Sequence, residues 1–125
     1  MKKGTSPLCK RSVCPITNTL DIIGDKWTLL VVRDMLLFNK KRYKDFADSP
    51  ESIPTNILAT RLKMLEKEGL VKKRAYQNNP PRYEYHLTKK GRALYPLLIE
   101  IMKWSANYLP HAFKAPKKIL EGKSL

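Results

Sequence analysis

Cys14 stands directly before Pro15 at the start of a helical pattern, with Lys10 and Arg11 close by in sequence. The partial positive charge of a helix N-terminus favours a thiolate over a thiol. Cys14 is therefore a candidate for oxidation or for adduct formation with an electrophile. A small, inert, partly buried cysteine is the other reading. Cys9 could resolve an oxidised Cys14, within one chain or between two, or could be an ordinary residue of a loose tail. Cys-x4-Cys with only His86 and His111 far away lacks zinc spacing, so neither a metal nor a cofactor is expected.

A second set of polar residues recurs at helical spacing. Asn56, Thr60, Lys63 and Lys67 follow at intervals of four, three and four, and Thr55 precedes them. Asparagine offers a donor and an acceptor side by side, matching the edge of adenine. Threonine can bond a base edge or touch a thymine methyl, and lysine suits guanine or phosphate. Thr55 also reads as a helix cap, and the two roles are compatible. Arg61 borders the buried face, where it could pair with Glu66 or Asp45 or reach a phosphate.

Hydrophobic periodicity supplies the elements that would hold these groups. Ile16, Leu20 and Ile23 mark one face of a first helix, with Pro15 in its first turn. Gly24 breaks it, and Asp25 is placed to cap a second helix over 26–38. That helix is apolar almost all round, so it should be central and buried. Tyr43, Phe46 and Ala47 mark a short amphipathic helix, and 48–52 a turn. The next helix starts near Pro54 and ends at Gly69, burying Ile57, Leu58, Leu62 and Leu65.

The period then changes to two. Residues 70–76 and 82–87 read as strands joined at Gln77-Asn78-Asn79-Pro80-Pro81, a strong turn signal. Thr88 can cap a last helix carrying Leu94, Leu97, Leu98, Ile101, Trp104 and Tyr108, with a kink at Pro96.

The order of helices, hairpin and long helix fits one fold class, mainly α with a β-hairpin wing, a winged helix-turn-helix. Its second helix would enter the major groove of DNA, with the hairpin reaching the flanking backbone or minor groove. Net charge agrees: 125 residues carry 25 Lys and Arg against 11 Asp and Glu, or +14. An anionic partner follows. The expected organisation is a basic tail over 1–12, one domain over 13–110 and a basic tail over 111–125. No apolar run is long enough to span a bilayer and no secretory signal is visible, so cytoplasm is the expected location.

Cys14-Pro15-Ile16, Gly24-Asp25-Lys26-Trp27, Asn56-Ile57-Leu58-Ala59 through Arg61-Leu62, and Leu65-Glu66 through Gly69-Leu70-Val71 together resemble the HxlR-type regulators. So do Pro80-Pro81-Arg82 through Tyr85 and Leu87-Thr88 through Gly91. The resemblance covers about residues 13–108. It implies a winged-helix transcription factor related in shape to the MarR group, working as a cytoplasmic homodimer on operator DNA. It also implies a dimer interface made by the first and last helices. Some members sense electrophiles or oxidants through a cysteine in the position of Cys14.

The expected DNA contacts are Thr55, Asn56, Thr60, Arg61 and Lys63 on the reading helix, Arg42 before the short helix, and Lys73, Asn78, Asn79 and Arg82 on the hairpin. Ordinary solvation and an ordinary turn are their bland readings. The expected dimer contacts are Ile16, Leu20, Ile23, Leu94, Leu98, Ile101, Trp104 and Tyr108, against packing within one chain. A two-fold dimer would place the reading helices ~34 Å apart or a multiple of it, on an inverted repeat.

Three rival classes fit less well. An enzyme would need a nucleophile–base spacing, phosphate loop or histidine cluster, and none is present. A sequence-independent architectural binder would need cations but no Asn and Thr face. A membrane-surface protein would need an apolar face on its basic tails. A regulator answering a small ligand, with Cys14 structural, stays open beside the thiol-responsive one.

Overall fold

The computed structural model describes residues 11–111 and 117; Cys9 and nearly all of both basic tails lie outside them. The order is α1 (Pro15–Ile23), α2 (Thr28–Leu37), α3 (Tyr43–Ala47), α4 (Thr55–Lys67), β1 (Val71–Asn78), β2 (Pro81–Leu87), α5 (Lys89–Arg92) and α6 (Tyr95–Tyr108). This is a winged helix-turn-helix: α3 and α4 are the helix pair and β1–β2 the wing.

The second helix starts two residues later than the sequence suggests. Trp27 rather than Asp25 holds the N-cap position, but the Asp25 carboxylate still ties down the helix start: it accepts from the amides of Trp27 at 3.0 Å and Thr28 at 3.1 Å, and from the Thr28 hydroxyl. A turn at Lys26–Trp27 fills the gap. Burial works against charge on Asp25. The Thr28 and Trp27 hydrogen bonds and the Arg61 charge outweigh it and hold the carboxyl below its usual range.

Val31, Val32 and Met35 of α2 meet Phe46 of α3, Leu58, Leu62 and Leu65 of α4, Leu70, Val71 and Leu87 at the root of the wing, and Leu98 of α6 in one core. The long apolar run of α2 is thus explained by neighbours on several sides. The other side of α4 is left to solvent.

Gly69 ends α4 with φ at +80°, a conformation that favours glycine. Leu70 N–H bonds to Leu65 carbonyl at 2.8 Å and Gly69 N–H to Glu66 carbonyl at 3.1 Å, the paired bonds of a Schellman ending. Thr88 ties the wing root to this turn, donating its hydroxyl to the Gly69 carbonyl at 2.6 Å and accepting from Gly91 N–H at 3.2 Å. A Cβ at Gly91 would lie 2.2 Å from the Leu70 carbonyl oxygen, so no side chain fits there without moving backbone.

Instead of one helix kinked at Pro96, the chain forms two. Thr88 caps the short α5, and α6 begins at Tyr95 with Pro96 in its first turn. There the missing N–H is one that a helix start leaves unpaired in any case, so proline starts a helix more cheaply than it kinks one.

The wing pairs Val71 with Leu87 through Ala75 with Tyr83, then shifts at Tyr76, so that Gln77 meets Arg82 and Asn78 meets Pro81. The strands therefore extend further than the turn signal suggests, leaving only Asn79 and Pro80 in the turn. Tyr85 N–H bonds to the Lys41 carbonyl at 2.7 Å and docks the wing against the segment before α3.

A polar cluster fixes the turn between α3 and α4. Asp34 of α2 is 1% exposed. It accepts from Arg33 at 2.8 Å and from the Ser49 hydroxyl, and Lys40 lies 3.5 Å away. Arg33 also grips Glu51 through two bonds of 2.8 and 2.9 Å. That grip holds the Glu51 carboxyl down to about 2 against a usual 4.5. Between those values the unfolded chain binds the extra proton. Glu51 therefore stabilises the fold fully above about pH 4.5 and loses that contribution as pH falls towards 2. Glu51 is partly exposed, so screening reduces the effect. Denaturant melts of wild type and Glu51→Gln at pH 7 and pH 3 should differ less at the lower pH; an equal gap at both would contradict the pairing.

Candidate nucleic-acid interface

Thr55, Asn56, Thr60 and Lys63 are all exposed on α4. The reason is local: with Leu58, Leu62 and Leu65 buried, the residues between them must face solvent. Thr60 donates its hydroxyl to the Asn56 carbonyl at 2.9 Å, which leaves its oxygen free to accept. Thr55 does not cap α4. Pro54 holds that position and no side chain closes the end, because Thr55 is already the first helical residue. The Thr55 carbonyl accepts from the Tyr43 hydroxyl at 2.7 Å, joining α3 to the start of α4.

Arg61 pairs with neither Glu66 nor Asp45. Its Nη1 lies 3.5 Å from Asp25 Oδ1, so it braces the turn that leads into α2. The sequence distance between Asp25 and Arg61 hid this pairing.

Arg42 sits at the N-cap of α3, 3.5 Å from Glu84 and with its guanidinium 4.2 Å from the centre of the Tyr76 ring. Lys73 Nζ lies 4.4 Å from the Tyr83 ring centre. Asn78, Asn79 and Arg82 are exposed at the wing tip, where Gln77 braces the turn by donating to the Pro80 carbonyl at 3.2 Å. Arg42 and Arg82 come together with Lys44, Tyr43, Tyr76 and Tyr83 around one cleft of about 390 Å³ between α3 and the wing. The tyrosines were missed in the sequence. The register shift at Tyr76 breaks the alternation that would have grouped it with Tyr83.

Cys14 is the N-cap of α1 and partly exposed. The Thr17 amide leads the interactions that lower its pKa, followed by the Thr17 hydroxyl and the Ile16 amide. Arg11 contributes elsewhere: it pairs with Asp21 at 2.6 Å. Among the described residues no group of His, Cys, Asp and Glu could hold a metal, and no helix is long and apolar enough to cross a membrane.

The expected dimer residues divide. Ile23 and Leu98 are 6% and 8% exposed, and Leu94 packs against the core, so these three serve the protomer itself. The physical reason is that α6 closes over α2 and turns one edge inward. Ile16 and Leu20 on α1, and Leu97, Ile101, Trp104 and Tyr108 on α6, are exposed. The α6 four are spaced as one helical stripe, and the Trp104 and Tyr108 rings lie 5.4 Å apart.

A family model described as HxlR-like helix-turn-helix matches residues 22–113. The HTH-type transcriptional regulator YdeP of Bacillus subtilis (strain 168) is 36% identical over 112 residues, covering 85% of this chain and 87% of that one. The crystal structure of PA1607, a putative transcription factor, superposes with a TM-score of 0.72 at 36% identity, covering 84% of this chain and 73% of that one. The redox regulator HypR in its reduced form superposes with a TM-score of 0.67 at 34% identity, covering 75% and 92%. The match over residues 22–113 and the identity to these regulators show that the chain belongs to the HxlR-like helix-turn-helix family of transcriptional regulators.

Proposed function

We propose that two copies of the chain bind an inverted-repeat operator in double-stranded DNA and act there as a repressor, in the cytoplasm. Each copy sets the start of α4 into a major groove. Thr55, Asn56 and Thr60 then read base edges, and Lys63 reaches a guanine or a phosphate. Arg42, Lys73, Asn78, Asn79 and Arg82 meet the flanking backbone, which positions the helix without reading sequence. Arg61 joins them only by giving up Asp25.

The observation that carries this reading is the polar outer face of α4, held rigid by a buried inner face. A binder indifferent to sequence would have no use for Asn56 and Thr60 beside Lys63. The test is selection of an operator from random DNA, followed by Asn56→Ala. The expected result is a loss of about 1–3 kcal/mol confined to one base pair of each half-site. Equal losses on operator and random DNA would favour an architectural binder instead.

The signal we propose is modification of Cys14 by an oxidant or electrophile. Its support is a partly exposed thiol held towards its anionic form by the first turn of α1, together with the likeness to the redox regulator HypR. A mild thiol oxidant should change wild-type operator affinity several-fold and leave Cys14→Ser unmoved. Equal binding by both proteins under both conditions would make Cys14 structural and turn attention to a small ligand.

A further inference from the structure

Another cavity, of about 190 Å³, opens at the root of the wing, where three parts of the chain meet. Lys40 and Lys41 come from the link between α2 and α3, His86 from the end of β2 and Arg92 from α5. Three cations and a histidine line one space, and no carboxylate lines it. The Tyr85 N–H bond to the Lys41 carbonyl, at 2.7 Å, fixes the link beside β2, so backbone rather than side-chain choice brings Lys41 and His86 together. The charges are poorly neutralised from within. Lys40 lies 3.5 Å from Asp34, which also serves Arg33 and Ser49. His86 Nε2 lies 3.1 Å from Glu84, which also serves Arg42. Among the described residues, Lys41 and Arg92 have no ion pair, and Lys41 is half-buried. A lysine withdrawn from water without a counter-ion is unfavourable, and an anion in the cavity would offset that cost.

We propose that this cavity binds a phosphate group, as inorganic phosphate or at the end of a small ester, with Arg92 and Lys41 as its main partners and Lys40 and His86 beside them. The guanidinium fork matches phosphate oxygens two at a time, and the ammonium groups add point charges. The volume falls below the range of drug-sized sites, which begins at about 300 Å³, but suffices for a tetrahedral anion. His86 lies five residues along β2 from Pro81, ~17 Å back from the wing tip. The site is therefore set apart from the wing-tip contacts proposed above for DNA and does not depend on them. An occupant would join the link before α3, the end of β2 and α5, and so stabilise the folded chain by mass action.

Calorimetric titration of the full chain with inorganic phosphate, at an ionic strength held constant with chloride, tests the site. One phosphate should bind per chain, and acetate about tenfold more weakly. Arg92→Gln and Lys41→Gln, each checked for an unchanged melt, should each weaken phosphate about tenfold. Lys26→Gln and Lys103→Gln make the same charge change at exposed positions away from the cavity and should leave phosphate binding unmoved. No saturable binding, acetate binding as tight as phosphate, or an equal loss from all four variants overturns the proposal. The duplex is the other source of phosphate groups. With a DNA duplex bound at saturation, inorganic phosphate should still bind with unchanged affinity. If the duplex blocks phosphate and Arg92→Gln weakens DNA binding, the cavity holds the DNA backbone and the assignment to a small ligand is overturned.

Discussion

Asp34→Ala is expected to lower the stability of the fold by about 1–3 kcal/mol, the range for leaving a buried hydrogen-bonding group without its partner. Asp34 is 1% exposed, and its carboxylate is the meeting point of Arg33, Lys40 and the Ser49 hydroxyl. Alanine leaves Ser49 buried without an acceptor and frees Lys40. Arg33 keeps Glu51 but loses its inner partner. Asp34→Asn keeps an acceptor for Ser49 and removes the charge, so its loss should fall between wild type and alanine. Urea unfolding measures both. A shift below about 1 kcal/mol for alanine would place the stability of this region in its apolar contacts instead. Ser49 lies in the turn between α3 and α4, so partial rescue by asparagine should also appear in the orientation of the reading helix, read as operator affinity at a temperature where both variants are folded.

Ile101→Glu is expected to convert a dimer to monomers and to weaken operator binding by two orders of magnitude or more, about the factor gained when two linked modules bind together. Ile101 is 45% and Trp104 59% exposed, and both lie in the stripe that α6 turns away from its own core. A carboxylate there faces water in a monomer and an apolar partner in a dimer. The chain should therefore remain folded while its sedimentation changes. Unchanged mass and unchanged affinity would mean that the stripe covers something other than a second copy. Ile23 and Leu98 would not discriminate, because substitutions there damage the protomer first.

Local signals in the sequence located most of the elements. Gly69 marked the end of α4 because a single residue there needs positive φ, and Asn79-Pro80 marked the wing turn. The faces of α4 followed from spacing alone. The departures come from contacts between distant residues. Arg61 finds Asp25 across the helix pair. Asp34 finds Ser49 and Lys40 around the turn, and no spacing rule announces either. Pro96 read as a kink, and the break before Tyr95 makes it part of a helix start instead. The stripe on α6 was legible, but which of its edges turned inward depended on where α2 lay. Tyr76 and Tyr83 share a cleft because of a register shift, which alternation cannot foresee.

The carboxylates beside Arg42 and Arg61 have a thermodynamic consequence. Each arginine already carries a resident counter-ion, Glu84 for one and Asp25 for the other. A cation neutralised within the protein releases fewer condensed ions from the duplex when it meets a phosphate than a free one does, for which the slope is about 0.9 per contact. The slope of log affinity against log salt should therefore fall short of the number of arginines and lysines at the interface. Removing Glu84 as Glu84→Gln should steepen it. Under the proposed function, these internal counter-ions would act as a governor on non-specific attraction in a chain of net charge +14, lowering its hold on random DNA and leaving the choice of site to the base contacts proposed for Asn56 and its neighbours.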